Sequence, residues 1–391
     1  MDYGGIVTFS DFLDGDQQEW RRACHRFVDE QITREYVRDC DMDRRYYSEG
    51  YAKLAASEYL GLLIPAEHGG SGGTTLAYAL LCEAMGKYGV DFAVAACVST
   101  FSAMNLIHYG TAEQIAQFIP RFLDGSVSFC VAISEPEAGS DAAATATRAI
   151  RDGDHYVLTG LKQWCSGSSA PGAHLFTLVR TDPAAEKHAG LSVILLPNDL
   201  PDMELRKLKT LARRGTGTNQ VFLDGARVPA EALIGAEGQG WEIITRHLLL
   251  ERIAIAAAYV GCAQQAVDDA CQYALNRRQF GQALFEFQAL SHMLADMQTR
   301  VDAARLLVYR AAAMADAGSL AAREVAMAKL FASEALQAVS RDGVQIMGGA
   351  GMLPEADMER YFREGMQATI GGGTSQIQRN IIARSMGRRP R

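Results

Sequence analysis

Val127-Ser128-Phe129-Cys130-Val131-Ala132-Ile133 opens a change of texture in the chain. It is followed by Tyr156-Val157-Leu158-Thr159-Gly160, His174-Leu175-Phe176-Thr177-Leu178-Val179-Arg180, Leu191-Ser192-Val193-Ile194-Leu195-Leu196-Pro197 and Gln220-Val221-Phe222-Leu223-Asp224. These β-branched or aromatic runs, set apart by turns, specify a small antiparallel barrel or sandwich over residues 126–237. No strand-helix-strand rhythm separates them, so a Rossmann dinucleotide fold is disfavoured despite 37 glycines.

Outward from this block the periodicity is helical. On the N-terminal side, Asp16 to Glu30 carries Trp20, Cys24, Phe27 and Val28 on one face, with Asp14 or Asp16 available as cap. Further helices are expected over Ser48–Glu58, Leu76–Gly86, Phe92–Ile107 and Thr111–Leu123. The glycine-rich stretch Gly69-Gly70-Ser71-Gly72-Gly73 has no Gly-Lys-Ser/Thr, so it reads as a turn and not as a phosphate cradle. On the C-terminal side, helices are expected over Trp241–Leu275, Phe287–Ala315, Leu320–Met347 and Gln376–Arg384. Leu290, Leu294, Met297, Val301 and Ala304 form an apolar stripe suited to a core. The expected fold class is α+β: an N-terminal helical domain (1–125), a middle β domain (126–237) and a C-terminal four-helix bundle (238–391).

With 391 residues, 48% of them hydrophobic and 21% charged, the chain can build two or three domains' worth of core. A net charge of −8 and the lack of a basic face argue against nucleic acid. Met1-Asp2-Tyr3-Gly4-Gly5 has no secretory-signal pattern, and no uninterrupted apolar run reaches about eighteen residues, so no membrane insertion and a cytoplasmic setting are expected. The eight cysteines show neither C-x-x-C pairs nor metal-ligand spacing. They read as reduced, buried small residues, and no metal site is expected.

One charged pair stands out in the apolar run Arg246-His247-Leu248-Leu249-Leu250-Glu251-Arg252-Ile253-Ala254-Ile255-Ala256-Ala257-Ala258-Tyr259-Val260-Gly261. A carboxylate among Leu and Ile is costly to keep charged, and burial pushes it towards the range of a general base, whereas Arg252 pulls the other way. A structural ion pair at a helix contact is the competing reading.

Five further motifs decide between them. Ile133-Ser134-Glu135-Pro136-Glu137-Ala138-Gly139-Ser140-Asp141, Lys162-Gln163-Trp164-Cys165-Ser166, Arg277-Arg278-Gln279-Phe280-Gly281, Gln345-Ile346-Met347-Gly348-Gly349-Ala350-Gly351 and Gly373-Thr374-Ser375-Gln376 occur in this order. Together with the α, β, α sequence of elements they resemble the acyl-CoA dehydrogenase family of flavoenzymes over essentially the whole chain. The resemblance implies FAD, contacted by Ile133, Ser134, Gly139, Trp164 and Ser166 around the flavin. Arg277, Phe280, Gln288, Gln345, Gly349, Thr374 and Gln376 are implied around the pyrophosphate and adenosine, some of them reaching a neighbouring subunit's cofactor. Taken alone, Trp164 could equally be a barrel core residue and Arg277 a solvated charge. The resemblance also implies at least a dimer, commonly a homotetramer built as a dimer of dimers, with electron-transfer flavoprotein as acceptor.

Two departures sharpen the reading. Straight-chain members carry their catalytic Glu in a Y-E-G-T loop, where this chain has Ile370-Gly371-Gly372-Gly373-Thr374. An isovaleryl-CoA and long-chain-like branch has its Glu on the preceding helix before an Arg, as in Leu250-Glu251-Arg252. The resemblance therefore implies that Glu251 is the base, with the Gly372 N–H polarising the thioester carbonyl as the α proton leaves and hydride passes to flavin N5. Ser140 and Arg252 are implied as substrate contacts. Leu249 occupies a position where many CoA-using members have Asp, a hint that the acyl group rides on a carrier protein, although the resemblance implies acyl-CoA as the substrate first. Ala95, Val98 and Met104 are expected near the acyl pocket. An enoyl-thioester reductase and a non-catalytic FAD or acyl-CoA scaffold are the alternatives; flavin monooxygenases and nitroalkane oxidases share the fold.

Overall fold

The computed structural model describes residues 12–319 and 321–387. The reading of Met1–Gly5, and Leu320 as a helix start, lie outside the described residues. The N-terminal part is built from α1 (Gly15–Phe27), α2 (Arg34–Met42), α3 (Ser48–Ala56), α4 (Thr75–Gly86), α5 (Val90–Tyr109) and α6 (Ala112–Leu123). Asp14, not Asp16, caps α1: its carboxylate accepts the Gln17 N–H at 2.9 Å while Gln17 reaches back to the Asp14 N–H at 3.2 Å. The helix relaxes into a π turn at Val28, earlier than the apolar pattern suggests. The glycine-rich stretch is a turn, with Gly69 and Gly72 at φ +87° and +61°. α5 is long and apolar enough to cross a membrane, with a mean hydropathy of 1.6, but 83% of its most apolar window is buried inside the protein.

The middle of the chain forms one eight-stranded sheet. Its strands are β1 (Ser128–Ala132), β2 (Arg148–Asp152), β3 (His155–Ser166), β4 (Ala173–Arg180), β5 (Leu191–Pro197), β6 (Met203–Leu208), β7 (Thr218–Pro229) and β8 (Leu233–Ile234). The order is β6-β7-β3-β2-β4-β5-β8, with β1 beside β4. Pairing is mostly antiparallel, but β1 runs parallel to β4 because the β2–β3 hairpin intervenes in sequence before β4 returns beside β1. Leu158, Leu175, Ile194, Val221 and Val228 close a core of their own. β2, β6 and β8 are additions to the five expected strands. β6 is an edge strand of alternating exposure, Met-Glu-Leu-Arg-Lys-Leu, whose charged residues hide it from an apolar-run reading.

The C-terminal bundle comprises α7 (Gly240–Asn276), α8 (Gln288–Asp316), α9 (Ala322–Met347), α10 (Met358–Ala368) and α11 (Ser375–Met386), with α9 packed on the other four. α10 has no counterpart among the expected helices. Two two-residue strands, β9 (Arg278–Gln279) and β10 (Gln282–Ala283), turn the chain between α7 and α8.

α7 ties the parts together. From Glu251 to Ala263 every residue is buried, and the small Ala and Gly side chains let other helices come close. At the crossing with α4, a Cβ on Gly261 would lie 1.9 Å from the Glu83 carbonyl oxygen, and one on Gly86 would lie 2.2 Å from that of Ala258. Backbone thus rests on backbone, with no room to yield. Gly261→Ala is expected to destabilise the protein by on the order of 3 kcal/mol, the upper range for overpacking, read as a lower denaturant midpoint; an unchanged midpoint would contradict the crossing.

Candidate active site

The first part of the site grows from the turn that follows β1. Glu135 is buried within it and accepts the N–H groups of Ala146 and Thr147 at 2.7 and 3.0 Å. Its third donor is the Lys162 ammonium at 2.7 Å, fully enclosed on β3, which also donates to the Ile133 carbonyl at 3.1 Å. Burial opposes the charge on Glu135, and Lys162 with the two N–H groups prevails, holding the carboxyl below its ordinary value. Gln163 N–H adds a bond to the Ser134 carbonyl at 2.8 Å. The turn is therefore pinned to β3 from inside, leaving Gly139 and Ser140 exposed and Ile133 and Ser134 half-buried.

Two residues beyond Lys162 the β3–β7 register breaks, and Trp164 takes up φ +64°. A left-handed conformation is uncommon for a bulky residue and turns its side chain out of the pleat. The ring is 56% exposed, so Trp164 is not a barrel core residue. Ser166 stands on the same bulged segment, its hydroxyl 3.1 Å from that of Thr218. Ser166, Gly167 and Thr216 line a small pocket with Val94, Ala95 and Val98 of α5; Met104 lies further along the helix and does not line it.

The second part joins α7 to the loop between α10 and α11. Glu251 is buried on α7 beyond the half-buried collar Leu248, Leu249 and Leu250. Arg252, next to it, turns to the loop: its Nε donates to the Gly372 carbonyl at 2.8 Å. Burial lowers the Arg252 guanidinium from its ordinary value, and Glu251 opposes that shift. Lys329 of α9 donates to the carbonyls of Ala368 and Gly373, both at 2.9 Å. Gly372 and Gly373 have φ +65° and +89°. A Cβ on Gly372 would meet Ile255 Cδ1 of α7 at 2.8 Å. A side chain at 372 would thus have to displace Ile255 Cδ1 and take up a left-handed backbone, while the Gly372 N–H has no acceptor among the described residues. From the β domain, Arg213 reaches this corner and donates to Gln367 at the end of α10 at 2.9 Å.

The third group lies elsewhere. Arg277 ends α7, 26 residues after Glu251; at about 1.5 Å per residue this is about 39 Å along the axis. Its backbone is fixed by bonds with Tyr273 and Leu284, both 2.8 Å, and its exposed guanidinium makes no ion pair among the described residues. Phe280 is 94% exposed, and Gln288, Gln345 and Gly349 are exposed too. Thr374 caps α11, accepting the Ile377 N–H at 3.2 Å, and lines an open groove of about 320 Å³ with Gln376, Glu334 and Ile370. The structure therefore brings Glu251, Arg252 and Gly372 together and keeps Arg277 and Phe280 apart from them. Lys162, Glu135, Lys329, His247 and Asn105 were given no role from sequence. His247 carried a readable signal, standing four residues before Glu251.

The domain models of the family cover nearly all of the chain: "Acyl-CoA dehydrogenase, N-terminal domain" over 14–126, "middle domain" over 130–226 and "C-terminal domain" over 238–387. The chain belongs to the acyl-CoA dehydrogenase family. A relative from Bacillus subtilis (strain 168), "Probable acyl-CoA dehydrogenase YngJ", is 35% identical over 96% of this chain and 98% of its own length. The solved "Prolyl Acyl Carrier Protein Oxidase AnaB" aligns with a TM-score of 0.90 at 27% identity, covering 96% of this chain and 100% of that one. The "FAD complex of PigA" aligns with a TM-score of 0.90 at 26% identity, covering 96% and 98%. The protein is an FAD-dependent oxidoreductase of the acyl-CoA dehydrogenase family. Its residues fit the cofactor: an out-turned indole beside a hydroxyl suits a flat ring system, and Gly139 and Gly349 leave open space where a Cβ would stand.

Lys329 offers a test of this corner. Burial first, and Arg252 second, push its ammonium down to about 7 from an ordinary 10.5. The unfolded chain keeps that proton up to the ordinary value, so this lysine's contribution to stability is full above 10.5 and is lost as pH falls through about 7. In Lys329→Met, denaturation midpoints measured across that window should rise less steeply with pH than in the parent.

Proposed function

We propose that the protein is an acyl-CoA dehydrogenase that removes the proton α to the thioester carbonyl with Glu251 and releases a trans-2-enoyl thioester. One observation carries the assignment: the 370–373 loop holds no carboxylate and has a left-handed backbone at Gly372, while Glu251 is buried on α7 beside the Arg252 that grips this same loop. FAD, when bound, accepts the β-hydrogen as hydride. Ile133, Ser134, Gly139, Trp164 and Ser166 hold its flavin end. The Gly372 N–H donates to the thioester carbonyl, lowering the cost of the negative charge that builds there as the Cα–H bond breaks. The half-buried leucines around Glu251 keep water from the carboxylate. Ser140 contacts the carrier arm; Arg252, engaged with the loop, positions that loop.

The about 39 Å between Glu251 and Arg277 supports an oligomer in which Arg277, Phe280, Gln288, Gln345 and Gly349 serve a neighbouring subunit's cofactor, within a homotetramer. Thr374 and Gln376 serve the chain's own. Electron-transfer flavoprotein is the proposed acceptor. Eight free cysteines agree with a reducing, cytoplasmic setting. A second reading, a carrier-protein thioester as substrate, is favoured by Leu249 and by the likeness to the carrier-protein oxidase.

Anaerobic addition of acyl-CoAs to the purified yellow protein should bleach the flavin absorbance, with a matched panel of carrier-tethered thioesters separating the two substrates. Glu251→Gln should retain FAD and slow bleaching at least about a thousandfold, within the range for losing a general base. Full bleaching in that variant would remove Glu251 from the chemistry. Bleaching by no thioester would leave the enoyl reductase or the non-catalytic scaffold.

A further inference from the structure

We propose that His247 is a positioning residue that holds one oxygen of Glu251, and that Asn105 sets it in the tautomer that does so. This rests on the reading of Glu251 as the base. His247 lies one turn before Glu251 on α7, fully enclosed, and its Nε2 stands 2.9 Å from Glu251 Oε2. From α5, the Asn105 amide nitrogen lies 3.0 Å from His247 Nδ1, in a pair that is itself buried. With that nitrogen as donor, Nδ1 accepts and the ring proton sits on Nε2, facing the carboxylate. Phe101, also on α5, meets the imidazole edge-on with ring centroids 6.4 Å apart and fixes its plane.

Both His247 Nε2 and Glu251 Oε2 are buried, and neither makes an aligned hydrogen bond to any described residue. They approach each other to hydrogen-bonding distance with the angle not yet closed. Buried polar atoms left this way are uncommon in folded proteins and call for a reason. Catalytic hydrogen bonds commonly tighten only when substrate is present. Other charged and titratable groups interact electrostatically with the carboxylate: Arg252 and Tyr259 from α7, Cys97 from α5 and Lys329 from α9, with Arg213 in turn interacting with Tyr259 and Cys97. His247 is the one whose donor atom is 2.9 Å from an oxygen.

The terminal torsion of a glutamate is soft, so an unheld carboxylate samples many orientations. With Oε2 held, Oε1 is the oxygen offered to the substrate. As the Cα–H bond of the thioester breaks, the proton joins Oε1, and the electron pair passes into the substrate. Oε2 continues to accept from a neutral imidazole, and no proton moves onto His247.

The test compares His247→Leu, His247→Gln and Asn105→Leu in the FAD-loaded enzyme, with Glu251→Gln alongside. His247→Leu should slow substrate-dependent flavin reduction about ten- to hundredfold, the loss of one hydrogen bond to a charged group, with KM little changed. The acid limb of its rate–pH profile should move up by about one pH unit, since a donor to the carboxylate favours the charged form. His247→Gln, which retains an N–H donor at similar reach, should restore most of the rate. Asn105→Leu, which leaves the α7 dyad in place, should show part of the loss and the same direction of pH shift. Nitrogen-15 NMR of histidine-labelled protein should find His247 in the Nε2–H form in the parent. An unchanged rate and pH profile in both His247→Leu and Asn105→Leu, or an Nδ1–H tautomer, would overturn the positioning role. If that happens while Glu251→Gln is inactive, the base assignment stands alone; an active Glu251→Gln overturns both.

Discussion

The contact on which the rest depends is the crossing of α4 and α7, where Gly86 and Gly261 let two helix backbones touch. Such a contact fixes both the distance and the rotation of α7, since a few degrees of roll would drive Cβ atoms into carbonyls. The same turn of α4 carries Glu83, which accepts from Arg21 of α1 at 3.0 Å, Arg305 of α8 at 3.1 Å and Tyr309 of α8 at 2.6 Å. Burial works against this carboxylate, but Arg305 and Arg21 hold it down at about 2. A charge paired this thoroughly contributes registry more than stability. It locks the N-terminal helices and the bundle in one arrangement around α7.

Fixing the rotation of α7 also fixes where its functional side chains point. His247 and Glu251 are one turn apart and share a face, towards Asn105 and the collar of leucines. Arg252, about 100° further round the helix, meets the Gly372 carbonyl. Ile255 lies one turn beyond Glu251 and fills the space into which a side chain at 372 would project. One rigid helix thereby places the carboxylate, its neighbouring imidazole and the loop that faces them.

Much of this was legible in the sequence, and the reasons differ by element. The long helices announce themselves through period and length, and the buried strands through apolar runs. β6 and β2 were hidden because edge or exposed strands carry charged residues, Glu204, Arg206 and Lys207 in one and Arg148, Arg151 and Asp152 in the other, that break up an apolar run. Glu251 drew notice because it is an expensive residue in its surroundings, and the loop 370–373 without a carboxylate then singled it out from a structural ion pair. The pinning of the 133–141 turn by Lys162 could not, since Lys162 lies 27 residues from Glu135 and only folding reveals that both are buried. Asn105 is separated from His247 by 142 residues, and an Asn in an apolar helix gives no hint of its partner. Sequence reveals residues whose cost is local; partners that offset the cost across long separations emerge only with the fold.

The α10–α11 loop shows how backbone alone can take over a role that a side chain might have filled. Two glycines in left-handed conformations direct the loop's carbonyls inward, where Arg252 takes Gly372 and Lys329 takes Gly373 and Ala368. A peptide carbonyl and the N–H of the next residue point in opposite directions, so fixing the carbonyls also fixes the neighbouring N–H groups. Two basic side chains therefore hold the loop, and the positive charge of Arg252 behind it favours negative charge building up in front. The cost is the burial of two basic groups. Lys329 meets it by giving up its proton readily, and Arg252, which cannot, meets it through the carboxylate next to it. The loop thus needs a carboxylate on α7 for electrostatic reasons as well as chemical ones, and Glu251 satisfies both.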